Sequence, residues 1–305
     1  MESTITVRVP GTTANCGPGF DTVGIACTIY NDMTLTLSEQ PGFTLAVTGE
    51  GAGAIPANER NIAYMAVSAV LKKVGVTSPG ISITMHNNIP LARGLGSSAA
   101  AIVGGLVAAN AATGGKLGND ELLAMATVLE GHPDNVAPAI LGGITVSFTA
   151  GGVPQTLRFN PPEPLRLVVA VPDFGLSTKA ARQVLPKAVP YADAVFNVSR
   201  AALLIGALCQ GKLDFLRSAL EDRLHQPYRA KLIPGMDEVL AAAVENGALG
   251  AALSGAGPCL IAFARREAAG AIGGAMVAAF ARHGVKAKSL DLDIDGDGAK
   301  IIMVP

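Results

Sequence analysis

The chain has 305 residues, half of them hydrophobic, and a formal net charge of −1, enough apolar material for a large core or two domains. Near-neutral charge, no basic run and no tryptophan argue against nucleic acid as a partner. Four cysteines (Cys16, Cys27, Cys209, Cys259) form no C-x-x-C pair and no basic-plus-apolar leader opens the chain, so disulfides and structural zinc are not expected and a reducing cytoplasm is.

In chain order, alternating apolar positions predict strands over residues 5–9, 33–39 and 43–48, a helix opening at Asn61 and a strand over 81–86. After the first strand, residues 9–21 (Val-Pro-Gly-Thr-Thr-Ala-Asn-Cys-Gly-Pro-Gly-Phe-Asp) pack three glycines and two prolines around Asn15 and Asp21, which predicts a shaped loop holding two polar side chains for a ligand. A helix over 120–129 and a strand over 144–148 follow. Gly151-Gly152 and Pro161-Pro162-Glu163-Pro164 mark a domain break, placed near residue 155, giving domains 1–155 and 156–305. The second half reads as a strand over 165–171, several helices, a strand near 259–263, a helix over 266–282 and two closing strands. The fold class expected is α+β, the second half being a split β-α-β layer with helices on one face. The glycine turn at 253–258 lies between two apolar strands and reads as structural.

The most informative stretch runs from Pro90 through Leu91, Ala92, Arg93, Gly94, Leu95, Gly96, Ser97 and Ser98 into Ala99, Ala100 and an Ala-rich helix. The glycines permit a tight turn, Ser97 or Ser98 can cap the helix, and free N–H groups with the positive dipole end favour an anion. It is not a Walker loop, because no lysine is nearby. It fits G-x-G-x-x-G/A, yet Asn87, Asn88 and Pro90 interrupt the approach and the next acid is Asp120, so a dinucleotide fingerprint is poorly supported. The Ala-rich run is too short to span a bilayer without polar residues, so no membrane contact is expected. Asp291-Leu-Asp293-Ile-Asp295-Gly296-Asp297 matches the start of a calcium loop but puts Ile302 where a glutamate is required. It reads instead as a strand and an Asp-Gly hairpin turn into 301–304.

The proline and Thr-Ala-Asn loop, the Gly-Leu-Gly-Ser-Ser-Ala loop and the late glycine turn, in this order, resemble the GHMP kinases over most of the chain. Residues 14–21, Glu130-Gly-His-Pro-Asp-Asn-Val-Ala-Pro138, Leu176-Ser-Thr178 with Arg182, and Gln226-Pro-Tyr-Arg229 are most similar to the branch that acts on L-homoserine. The resemblance implies a ribosomal-S5-like N-terminal domain, a ferredoxin-like C-terminal domain, ATP between them, and transfer of its γ-phosphoryl group to the side-chain hydroxyl of L-homoserine. It also implies Mg²⁺ held by Ser98 and Glu130, although only Gly131 separates Glu130 from His132 where many relatives carry a longer loop. The 90–100 loop and Asn61 are expected at ATP. A homodimer is the family's common assembly.

L-homoserine is a zwitterion ending in a hydroxyl. By the resemblance, Arg182 and Arg229 clamp its carboxylate, Thr178 standing one helical turn before Arg182; Asp21 takes the ammonium, Asn15 orients the hydroxyl, and His132 and Asp134, in a proline-containing turn, complete the pocket. The expected catalytic set is Asn15, Ser98, Glu130 and Asp134, with Asp134 first a pocket residue and second a general base. Two alternatives stay open: a GHMP kinase for another small alcohol, such as mevalonate or a sugar, and a non-catalytic binding protein on the same fold.

Overall fold

The computed structural model describes residues 3–77 and 79–302. Its first sheet is built on two long strands, β1 (Ser3–Asn15) and β2 (Gly19–Ser38), paired antiparallel from Ser3↔Leu37 to Asn15↔Gly19. The segment expected as a loop over 9–21 is therefore mostly ladder, and only its tip turns. Prolines and glycines at 10–11 are accommodated by a register shift between Pro10 and Gly11, which the strand pattern alone does not reveal.

β3 (Gly42–Gly49) lies parallel to β4 (Gly80–Asn87), which pairs with the far half of β2; the connection carries α1 (Ile62–Val74). Asn61 caps α1, its Oδ1 accepting from Ala63 N and Tyr64 N. α2 (Ser97–Ala112) is apolar on every side and correspondingly buried. Gly105 lets it approach α1: a Cβ there would sit 2.8 Å from the Ala63 carbonyl oxygen. Ile102, Val103 and Leu106 are fully buried, each contributing about 1.5–3 kcal/mol.

α3 (Asn119–Glu130) runs into α4 (Pro133–Leu141), a helix that the proline content had disguised as a turn; Pro133 stands in its first turn, where no N–H is needed. β5 (Ile144–Ala150) pairs with the near half of β2, and β6 (Val153–Phe159) with β5.

β7 (Arg166–Pro172) opens the second sheet. There follow α5 (Thr178–Gln183), α6 (Tyr191–Gln210), α7 (Leu216–Ala219), α8 (Gln226–Arg229), α9 (Met236–Glu245), β8 (Gly250–Leu253), β9 (Leu260–Ala264), α10 (Ala269–Arg282) and β10 (Ala287–Asp293). The sheet order is β10-β7-β9-β8, antiparallel throughout. Helices cover both faces, not one. Val168, Ala170, Leu260 and Ala262 pack with α9 and α10, while Leu167, Val169, Ile261 and Phe263 share a core with Leu204, Leu208 and Leu216. That explains why every residue of β7 is buried.

The closing strands do not form a hairpin with one another. β10 belongs to the second sheet, whereas β11 (Lys300–Ile302) crosses back to pair with β1; Val304 lies outside the described residues. Asp295 makes this crossing possible. It is buried, accepts from Tyr30 Oη at 2.9 Å, and takes the Asp297 and Gly298 N–H groups at 3.0 and 2.7 Å.

Candidate active site

The three glycine-rich segments meet. Gly255 N donates to Ala14 O at 2.9 Å, Ser254 Oγ to Gly94 O at 2.7 Å, and Thr12 N to Leu95 O at 3.0 Å. The turn at 253–258, expected to be merely structural, is a wall of the site: Gly255, Ala256 and Gly257 line a cavity of about 440 Å³. Gly94 is required by contact as well as by its φ of 80°, since a Cβ would stand 2.2 Å from Ser254 O.

At one end of this cavity the N-terminus of α2 opens on the turn. Neither serine caps it. The cap is Gly96, at φ 68°, and no side chain among the described residues bonds the first N–H groups, which leaves them for an anion. Ser98 Oγ donates instead to both oxygens of Glu130, at 2.6 and 2.7 Å, so an all-oxygen pair stands beside the helix terminus. That donor set suits a hard divalent cation, and the single residue between Glu130 and His132 does not draw Glu130 away from Ser98.

Asn61, Leu91, Ala92, Arg93, Gly96 and Ser97 also line the cavity. Leu95, Ala99 and Ala100 lie in the core, and Pro90 lines a second cavity that shares Leu91 and Arg93 with the first. The Arg93 guanidinium is occupied by carbonyls of Pro172, Asp173 and Leu91, at 2.9, 2.9 and 3.2 Å, fastening the loop to the end of β7. Asn61 Nδ2 donates to Pro56 O, so its polar atoms are engaged locally.

At the other end are the polar groups of both sheets. Asn15 and Asp21 hold positive φ angles of 69° and 54°, strained backbone of the kind that collects at binding sites. Asn15 Nδ2 donates to Gly255 O at 2.7 Å while its Oδ1 accepts from Asp21 N at 3.0 Å, so this side chain ties the β1–β2 tip to the late glycine turn. Asp21 accepts both Arg182 Nη atoms, at 2.8 and 2.9 Å. The two groups expected to grip opposite ends of a zwitterion therefore grip each other. Thr178 sits one turn before Arg182, as its spacing required, with Ser177 capping α5 through Ala180 N.

His132 caps nothing; its Nδ1 pairs with Asp134 Oδ1 across the first turn of α4. Burial lowers the His132 pKa, but the Asp134 hydrogen bond and charge more than reverse this, so it is raised. Arg229 is 1 % exposed. Burial and the like charge of Arg182 bring its pKa down to about 10, leaving it cationic at neutral pH.

Several lining residues escaped the sequence. Ile55, Pro56, Arg60, Ile62 and Met85 surround the end next to Asn61, with Asn87. Asn87 had a legible signal, because it continues the inward alternation of Ile81, Ile83 and Met85 with a polar side chain. Its Oδ1 is buried without a hydrogen-bond partner among the described residues. Asp222 and His225, just before Arg229, carried no signal of their own.

A glycine turn at a helix terminus, an oxygen pair beside it and facing opposite charges across the same cavity define a phosphotransferase for a small molecule. Residues 61–143 match the model of the GHMP kinases N-terminal domain and residues 204–282 that of the GHMP kinases C-terminal domain. The chain is 52 % identical to homoserine kinase of Moorella thermoacetica over 97 % of this chain and 99 % of the relative, and 48 % identical to that of Carboxydothermus hydrogenoformans over 93 % and 92 %. The crystal structure of homoserine kinase from Cytophaga hutchinsonii superposes with a TM-score of 0.91 at 32 % identity, covering 99 % of this chain and 98 % of that one. The chain belongs to the GHMP kinase family.

Proposed function

We propose that this enzyme phosphorylates the side-chain hydroxyl of L-homoserine with ATP, giving O-phospho-L-homoserine for threonine synthesis. The observation that carries the substrate assignment is the Asp21–Arg182 pair with Arg229 beside it: a carboxylate and two guanidiniums on one pocket suit an amino-acid zwitterion, each end of which can replace one half of the internal pair. Mevalonate has no ammonium for Asp21, and a sugar has neither charge.

The family implies ATP. We assign its phosphates to the turn at 94–98 and the N-terminus of α2, and its base to the end lined by Met85, Asn87 and Asn61. Ser98 and Glu130 would hold Mg²⁺, which when bound supplies neutralising charge to the phosphates. Asn15 and the backbone of the late glycine turn border the acceptor hydroxyl. His132, hydrogen-bonded to Asp134, lines the same cavity and holds that carboxylate in place. Alignment and charge neutralisation account for the chemistry, and Asp134, engaged by His132, is assigned to the pocket rather than to proton abstraction. All four cysteines are free thiols, in keeping with the cytoplasm as the compartment. On the family's precedent the assembly is a homodimer, which light scattering reads directly.

The test is ADP release with MgATP and L-homoserine, mevalonate, galactose or no acceptor, beside Arg229→Ala. Turnover confined to homoserine and lost in the variant supports the assignment. Turnover with another alcohol moves the substrate, and no turnover with any acceptor favours a binding protein.

A further inference from the structure

Arg229 is held by its surroundings rather than by an acid. Nε donates to Ala181 O at 3.2 Å, Nη1 to Gly255 O at 3.1 Å, and Nη1 also meets Nδ1 of His225 at 3.3 Å; Nη2 enters no hydrogen bond among the described residues. His225 is fully buried, stacked on Phe20 at 5.1 Å between centroids, and its Nε2 lies 2.7 Å from Gly17 O. A carbonyl only accepts and a guanidinium only donates. The ring must therefore carry its proton on Nε2 and present a lone pair on Nδ1 to Arg229. Burial pushes the His225 pKa down against the pull of Asp222, which keeps the ring neutral. Asp222 fixes the backbone that carries the ring: its Oδ2 accepts from His225 N and Gln226 N at 2.9 and 2.7 Å, and its Oδ1 from Leu224 N and Asn197 Nδ2 at 3.0 and 2.7 Å.

We propose that His225 is a positioning residue for substrate binding: as the neutral Nε2–H tautomer it spans from the Gly17 carbonyl at the β1–β2 tip to the Arg229 guanidinium and holds the free edge of that guanidinium toward the substrate carboxylate. Gly17 belongs to the hairpin that carries Asn15 and Asp21, so one imidazole sets the distance between the ammonium and carboxylate ends of the site. An acidic partner would satisfy Arg229 but would also compete with the substrate carboxylate. A neutral acceptor orients the guanidinium while no carboxylate hydrogen-bonds to it among the described residues, so its free edge stays open to the substrate carboxylate. This rests on homoserine being the substrate and Arg229 meeting its carboxylate.

Two amides separate the ring nitrogens. His225→Asn keeps an acceptor near the Nδ1 position, whereas His225→Gln puts a donor near Nε2 and leaves Arg229 without its acceptor. Kinetics are measured with L-homoserine and with ATP, and folding by thermal melt. We expect the Gln variant to raise KM for homoserine about tenfold or more, with kcat and KM for ATP changed less than about threefold, and the Asn variant, which gives up the Gly17 bond but keeps the Arg229 acceptor, to raise it clearly less than the Gln variant. In an Arg229→Met background the Gln change should cost no more than about twofold further in kcat/KM. Equal losses in the two amides, or additive losses with Arg229→Met, overturn the proposal. If Arg229→Met itself leaves KM for homoserine unchanged, the carboxylate assignment falls first. Nitrogen NMR of wild-type imidazoles reads the tautomer independently of variant folding: an Nε2–H neutral ring at His225 supports the proposal and an Nδ1–H or doubly protonated ring overturns it.

Discussion

Asp21→Asn preserves side-chain shape and removes one charge. In the free protein that charge is satisfied by Arg182 at 2.8 and 2.9 Å, with 36 % of the Asp21 and 38 % of the Arg182 side chain exposed. Binding of a zwitterion exchanges this internal pair for two external ones, so the energy at stake for the ammonium is that of one unit-charge contact. At about 4 Å and an effective dielectric of about 20 this is about 4 kcal/mol, which partial exposure roughly halves to about 2 kcal/mol. Dividing by about 1.4 kcal/mol per decade gives a loss of about 30-fold in kcat/KM for homoserine. For 4-hydroxybutyrate, the same acid without the amine, there is no such contact to lose, and the variant frees Arg182 for the carboxylate. Its kcat/KM should hold or rise. Coupled ADP release with both acids, at low and high salt, reads the ratio. Equal losses for the two acids, or an unchanged homoserine value, would refute the exchange argument.

Glu130→Gln removes the negative charge beside α2 and replaces one carboxylate oxygen with a donor; we expect a rise in the Mg²⁺ concentration needed for half-maximal rate and a fall in kcat of about 100-fold, read by magnesium titration. Asp134→Asn should keep kcat within about tenfold, and a loss beyond about 100-fold without a KM change would make Asp134 the general base. His132 has a raised pKa in the folded protein, so its pairing with Asp134 contributes stability that is full below the ordinary value of 6.5 and is lost as pH rises through the raised one. Relative to His132→Gln, the wild-type melting temperature should therefore fall with pH above 6.5. His225 has the opposite sign: its pKa is lowered mainly by burial, so stability falls as pH drops below 6.5, a slope that His225→Asn should weaken.

Where the sequence was legible, one element at a time was enough. The strand at 81–86 shows in the alternation of Ile81, Ile83 and Met85, and the helix opening at Asn61 shows in its capping residue. The glycine turn before α2 announces an anion site because glycine freedom and a helix N-terminus are local properties. Composition and spacing failed where local signals conflict with pairing. The prolines and glycines of 9–21 disguised a continuous ladder, and two prolines in 133–138 disguised α4.

The sequence by itself determined that a glycine turn opens an apolar buried helix, and which charged residues are available to a pocket. Tertiary structure alone decided who faces whom. Asp21 and Arg182 are 161 positions apart and Asn15 and Gly255 are 240 apart, yet each pair is in hydrogen-bond contact. The same packing made Ser98 a partner of Glu130 rather than a helix cap, and turned the late glycine turn into a wall of the site. The physical reason is that periodicity records how each residue divides between core and solvent within its own element. Charge pairing at a site depends instead on how two sheets dock, and that is settled by long-range burial.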